Sequence, residues 1–194
     1  MATENGLRKI NRGKADEIIF DLNIFLEEVY RVTKGTLIIF CGQGQFSKII
    51  KYFWDLKYYQ GENILVRQLV WKKSNPSPIN GEHIYLSAVE NAVWVKKKGG
   101  TFNAFCKSNV FVHPCGLSEL HPTEKNHKLL AELIEDNTNP GDLIFDPCAG
   151  SGSTLLVANK MGRQFIGCEL DKEFYEKAKK RLDAEISQIS IWDL

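Results

Sequence analysis

The stretch FDPCAGSGST, Phe145 to Thr154, constrains the fold more than any other part of the chain. Within ten positions it places an apolar strand, a loop of small residues and the start of a helix. Gly150 and Gly152 let the backbone bend tightly and approach a ligand with no Cβ in the way. The N–H groups that open the following helix offer donors to a polar or anionic group. A strand, small-residue loop and helix in this order belong to α/β sheets, whose ligands lie in the crevice beyond the strand ends.

The rest of the chain alternates in the same way. Leu22, Phe25, Leu26, Val29 and Val32 recur at helical spacing behind a capping Asp21, and Gly35 follows the helix end. TLIIFC (Thr36 to Cys41) predicts a strand, and Phe46, Ile49, Ile50 and Phe53 resume a helical period up to Gly61. Ile64 to Trp71 and Ala92 to Lys96 read as strands around an irregular excursion rich in Asn, Pro and Gly. Leu129, Leu130, Leu133 and Ile134 mark a helix that stops at Asn139-Pro140-Gly141-Asp142. Leu143 to Phe145 is a strand, Ser153 to Met161 a helix and Phe165 to Cys168 a second strand. The last helix begins near Asp171, with Phe174, Tyr175, Ala178 and Leu182 on one side. The alternation predicts an α/β fold with a largely parallel sheet. At 194 residues and 43% hydrophobic, the chain fits one domain, 1–194.

Asp146, at the end of its strand, can meet an ammonium or a hydroxyl in the crevice. Glu169, in FIGCELD (Phe165 to Asp171), stands about twenty residues past the glycines, where a carboxylate can take both hydroxyls of a ribose. Each feature alone is more often an ordinary turn or a solvated acid; their ordered spacing points to a cofactor that contains adenosine. A dinucleotide-dependent dehydrogenase uses the same parts, but the loop reads DPCAGSG, not GxGxxG. Cys41-Gly42-Gln43-Gly44-Gln45-Phe46-Ser47 also follows a strand, has Ser47 in place of a third glycine, and reads as a turn.

The formal charge of +1 gives no strongly basic field, so any contact with nucleic acid has to come from local clusters. Five cysteines form no CxxC pair, which predicts buried thiols in a reducing compartment and no metal site. The polar N-terminal stretch, Met1 to Gly13, lacks the apolar centre of a signal peptide, and no apolar run reaches the length of a membrane span. A cytoplasmic location without membrane attachment follows as an expectation.

HPTEK (His121 to Lys125), then a helix, then DPCAGSGS (Asp146 to Ser153), then FIGCELD resembles the amino-methyltransferases that modify adenine N6 or cytosine N4 of DNA. The order is similar to the circularly permuted, β-type group, whose cofactor motifs lie C-terminal to the target-recognition region. VWKKSNPSPING, ENAVWVKKKGG and TFNAFCKSNVFVHP extend the likeness over nearly the whole chain. The resemblance implies a Rossmann-like methyltransferase fold, its mostly parallel sheet flanked by helices and carrying an antiparallel edge pair. It also implies S-adenosylmethionine as cofactor, with Asp146, Pro147, Ala149, Gly150, Ser151, Gly152 and Thr154 along its methionine and adenosine side. Glu169 would hold the ribose; His121, Thr123 and Lys125 would face the methionine carboxylate, with Lys125 supplying the charge. Asn126 replaces the proline usual after that lysine, and Cys148 a bulkier residue; neither removes a polar contact. On this pattern 121–185 is the cofactor half and 72–112 a target-recognition insertion.

That family acts through a D-P-P-Y or S-P-P-Y motif placed before the TLIIFC strand, and this sequence has none, so no catalytic residue is assigned. In the family the aromatic ring stacks the flipped base, while the acid or hydroxyl and a prolyl carbonyl accept hydrogen bonds from the amine. Asn75-Pro76-Ser77-Pro78 lies after the strand, and Asp21 fits better as a helix cap. The missing strand would pair beside the one ending at Asp146, so a partner chain, a copy of the same chain or a rearranged N-terminal segment is expected to fill the gap. Double-stranded DNA is the expected substrate. Its recognition region, Trp71 to Phe111, interleaves lysines with aromatics, and Lys72, Lys73, Ser74 and Asn75 are its candidate contacts. The competing readings are a silent binder of cofactor or DNA and a dehydrogenase. Pro114-Cys115 and Pro147-Cys148 resemble the dipeptide of cytosine-C5 methylation only by coincidence, because amine methylation needs no cysteine nucleophile.

Overall fold

The computed structural model describes residues 20–79, 81–116 and 124–192, the side chains of the last helix only to residue 187. The chain forms two compact units, Met1–Cys115 and Gly116–Leu194.

The first unit opens with helix α1 (Leu22–Val32), started by Asp21, whose carboxylate accepts from the Asn23 and Ile24 N–H groups at 2.7 and 3.2 Å. Strand β1 (Thr36–Cys41) and helix α2 (Gln43–Tyr59) follow. The Cys41 to Ser47 stretch, read as a turn, is the start of α2, with the Gln45 side chain accepting from the Gly42 N–H at 2.9 Å. Strands β2 (Ile64–Lys73), β3 (Val89–Lys97) and β4 (Val110–His113) complete a four-stranded sheet in the order β1-β3-β2-β4. Side chains alternate across its two faces. Leu37, Val66, Val93 and Val95 lie on the face packed by Leu26 of α1 and Ile49, Phe53 and Leu56 of α2. On the other face Trp71, Trp94 and Phe111 are buried, with Trp94 edge-on to Phe102 at 5.7 Å.

The second unit holds helix α3 (His127–Asn137), strand β5 (Leu143–Asp146), helix α4 (Ser153–Lys160), strand β6 (Gln164–Gly167) and helix α5 (Lys172–Trp192). β5 and β6 are parallel, in register Phe145↔Ile166 and Asp146↔Gly167. The four apolar residues that mark α3 in the sequence are all buried. Leu130 and Ile134 pack with Val157 and Ala158 of α4, against Ile144 and Phe165 of the strands. Asn126 caps α3, accepting from the Lys128 and Leu129 N–H groups at 2.9 and 3.1 Å. Asn126→Ala should therefore lower stability by about 1 kcal/mol, as read from the urea midpoint; an unmoved midpoint would show that the cap contributes nothing.

The α/β class holds, with more antiparallel pairing than one edge pair. β3 runs antiparallel to both β1 and β2, while β2–β4 and β5–β6 are parallel. Among the described residues the connection between β2 and β3 contains no crossover helix, and β3 returns alongside the strand it left. Strand β4 has no counterpart among the strands predicted from the sequence. Among the described residues, β5 pairs with no strand but β6, and Leu143, Phe145 and Ile166 are exposed on that small sheet. No helix of the described residues is long and apolar enough to cross a membrane. The five cysteines are free but not buried: Cys106, Cys148 and Cys168 are exposed and Cys41 and Cys115 half-buried. Cys148 sits in the loop after β5 and Cys168 follows the last residue of β6, outside the packed layers.

Candidate cofactor site

Beyond the ends of β5 and β6 the backbone continues to interlock. The Cys168 N–H donates to the Asp146 carbonyl at 3.0 Å, and the Ala149 N–H to the Cys168 carbonyl at 2.9 Å. The small-residue loop is thereby tied to the end of β6. Gly150 and Gly152 adopt φ of 52° and 73°, the left-handed region that glycine tolerates at least cost. Gly152 caps α4, and the Leu156 N–H returns to its carbonyl at 2.9 Å. A Cβ on Gly152 would stand 3.3 Å from Ala178 Cβ, so α5 backs the loop directly. Gly150, Ser151 and Gly152 are buried, Asp146, Pro147, Ala149 and Thr154 half-buried.

The two acids predicted to share a ligand stand at this loop. Glu169 is nineteen residues from Gly150 and accepts its N–H at 2.8 Å through Oε2, while Oε1 accepts the Asp171 N–H at 2.9 Å. Each carboxylate oxygen keeps a second lone-pair direction, so the acid is oriented by the backbone and can still accept from a hydroxyl. Asp146 Oδ1 takes the Cys148 N–H at 3.1 Å, which turns the chain into the loop. Although Cys148 as a residue is exposed, protein atoms crowd its sulfur, and the thiol is pushed up to about 11, first by this desolvation and then by Asp146, Glu169 and Cys168. A thiol so shifted is a poor nucleophile near neutrality.

Lys125 lies half-buried in the extended segment before α3, in the same compact unit; His121 and Thr123 lie outside the described residues. Sequence reasoning missed three residues here. Arg181 of α5 donates to Glu124 Oε1 at 2.9 Å and to the Ser151 carbonyl at 3.4 Å, and its other terminal nitrogen stands 3.2 Å from His127 Nε2. The available signal was Arg181's place one turn from Ala178, on the side of α5 read as apolar.

In the first unit, the candidate nucleic-acid contacts separate into two kinds. Lys72 is exposed. Lys73 instead pairs with Glu90 at 2.8 Å and lies over the Trp71 ring. Ser74 N–H donates to the His113 carbonyl at 3.2 Å. The Asn75 side chain brackets Cys115, accepting its N–H at 2.6 Å and donating to its carbonyl at 3.2 Å. Lys96 and Lys97 donate to the carbonyls of Gly100 and Tyr30, and Lys107 lies over the Phe111 ring, whereas Lys98 is exposed. Most lysines of this region thus have partners inside the fold.

Comparison with known proteins points to one family. A family model described as DNA methylase, N6_N4_Mtase, matches residues 106–180. The type II methyltransferase M.HpaI of Haemophilus parainfluenzae is 34% identical over 84% of this chain and 59% of its own. The type II methyltransferase M2.DpnII of Streptococcus pneumoniae is 30% identical over 62% of this chain and 52% of its own. The chain thus spans little more than half the length of these curated relatives. Among solved structures, the M1.HpyAVI–SAM complex is 31% identical with a TM-score of 0.69, covering 82% of this chain and 80% of that one. The cytosine-N4-specific PvuII DNA methyltransferase, 18% identical with a TM-score of 0.61 over 86% of this chain and 76% of its own, shares the fold.

Proposed function

This chain belongs to the N6/N4 amino-methyltransferase family of DNA methylases, and from that premise we propose that it binds S-adenosylmethionine and serves methyl transfer to adenine N6 or cytosine N4 in double-stranded DNA. The observation that carries the reading is the clasp of Glu169 on the Gly150 N–H, which sets an acid beside a glycine-lined bend. The residues fit the cofactor. The bend has positive φ where a side chain would strain it, and Asp146 and Glu169 suit the ammonium and ribose hydroxyls. Pro147, Ala149, Ser151 and Thr154 line the loop, and His121, Thr123 and Lys125 serve the methionine carboxylate. When bound, the sulfonium supplies an electrophilic methyl group. The protein's part is to orient that donor and to exclude water, and no cysteine forms a bond to the base.

In this reading residues 1–194 work as one methyltransferase domain, 72–112 meeting DNA and 121–185 the cofactor. Lys72 and Lys98, both exposed, are the lysines best suited to phosphate, and Lys73, Ser74 and Asn75 shape the segment between them and the bases. The base-holding group is supplied by a second polypeptide, another copy of the chain or a rearranged N-terminal segment. The strand flank of β5 opposite β6, which has no strand partner among the described residues, supports this. Free cysteines favour a cytoplasmic setting. The absence of D-P-P-Y favours a second reading, a silent binder of cofactor or DNA. Titration calorimetry with S-adenosylmethionine and with NAD should give heat with the first alone. Labelled-methyl transfer to duplex DNA, with and without an added peptide bearing D-P-P-Y and its strand, separates the remaining two: transfer in either arm supports the enzyme, and none in both supports the silent binder.

A further inference from the structure

One charged cluster lies behind the proposed cofactor loop and is used by none of the contacts assigned above. Arg181 projects from α5 beside Ala178 and Leu182, the two side chains that a Cβ on Gly152 would meet at 3.3 and 3.5 Å. Its guanidinium reaches three segments at once: Glu124 in the approach to α3, His127 in the first turn of α3, and the Ser151 carbonyl inside the loop. Glu124 is also 2.9 Å from His127 Nε2. The side chains of Arg181 and Glu124 are only 19% and 10% exposed. Charges so enclosed are held in place by their partners and are costly to leave uncompensated.

We propose that Arg181 is a positioning residue for the cofactor, locking the small-residue loop to the segment that carries Lys125 and neutralising Glu124. The inference rests on the S-adenosylmethionine reading of the loop. The electrostatics give it direction. Glu124 is the immediate neighbour of Lys125, the cation proposed to meet the methionine carboxylate. Unneutralised, its negative charge would oppose a carboxylate bound at Lys125. The planar fork supplies the rest, because one guanidinium can serve several acceptors in fixed geometry and a lysine ammonium cannot hold the same set. The Ser151 contact, at 3.4 Å, is the longest of the three, so the main load falls on Glu124.

The test is calorimetric titration of the full chain with S-adenosylmethionine, each variant first shown folded by circular dichroism. Arg181→Gln should bind roughly tenfold more weakly or worse, the size expected for losing a charged hydrogen bond. In a Glu124→Gln background the same substitution should cost less than about threefold, because the charge to be neutralised is gone. A residue that only supports the fold would lower the melting temperature without this coupling. If Arg181→Gln does not fold, Arg181→Lys replaces it, with a loss of several-fold expected and affinity equal to wild type contradicting the proposal. Wild-type affinity in folded Arg181→Gln, or an equal loss in both backgrounds, overturns the inference alone. A wild-type chain that takes up no S-adenosylmethionine overturns the cofactor reading and this inference together.

Discussion

Gly167→Ala should lower stability by about 1–3 kcal/mol and loosen the cofactor loop at the same time. A Cβ at Gly167 would stand 2.4 Å from Leu155 Cδ1 and 3.2 Å from Ala149 Cβ. The first distance is too short to survive, and Leu155, at 5% exposure, has no solvent to swing into. The new methyl group therefore pushes α4 away from β6 on one side and the loop at Ala149 on the other. Gly44, inside α2, has nothing within 4 Å of the same added atom. Gly44→Ala should move stability the other way, by roughly 0.4–1 kcal/mol, through the unfolded chain's lost freedom. Urea denaturation of both variants measures the signs; equal midpoints would contradict the packing described for β6 and α4.

Glu169→Ala should weaken S-adenosylmethionine binding by roughly 10- to 100-fold, corresponding to about 1.5–3 kcal/mol for a hydrogen bond to a charged group. Two effects act in the same direction. The substitution removes the proposed acceptor for the ribose, and it releases the Gly150 and Asp171 N–H groups that the carboxylate holds at 2.8 and 2.9 Å. Glu169→Gln should lie between, since an amide oxygen can accept from one of those donors but its NH2 cannot accept from the other. Calorimetry measures the loss, and affinity within about twofold of wild type in Glu169→Ala would remove Glu169 from the site.

The local pattern of the chain was legible where one physical signal dominated. Leu129, Leu130, Leu133 and Ile134 announce the buried face of α3, Asp21 its role as a cap, and TLIIFC the bounds of β1. The meeting of Glu169 with the glycine loop was legible too, because a parallel pair of strands brings successive strand ends to the same edge. β4 was not: VFVH is four residues long, and it forms because β2 offers a partner edge, which no local pattern reveals. Composition also did not show which lysines have partners within the fold. Lys73 and Lys97 look like phosphate ligands, yet one is paired with Glu90 and the other donates to the Tyr30 carbonyl, partners distant in sequence. Arg181 escaped notice for the same reason, since Glu124 lies 57 residues away from it.

The most direct test is a crystal structure of the chain grown with saturating S-adenosylmethionine. The ribose hydroxyls should lie against Glu169, with the methionine portion running along Ala149 to Gly152. An empty crevice, or one closed by the chain's own side chains, would contradict the account.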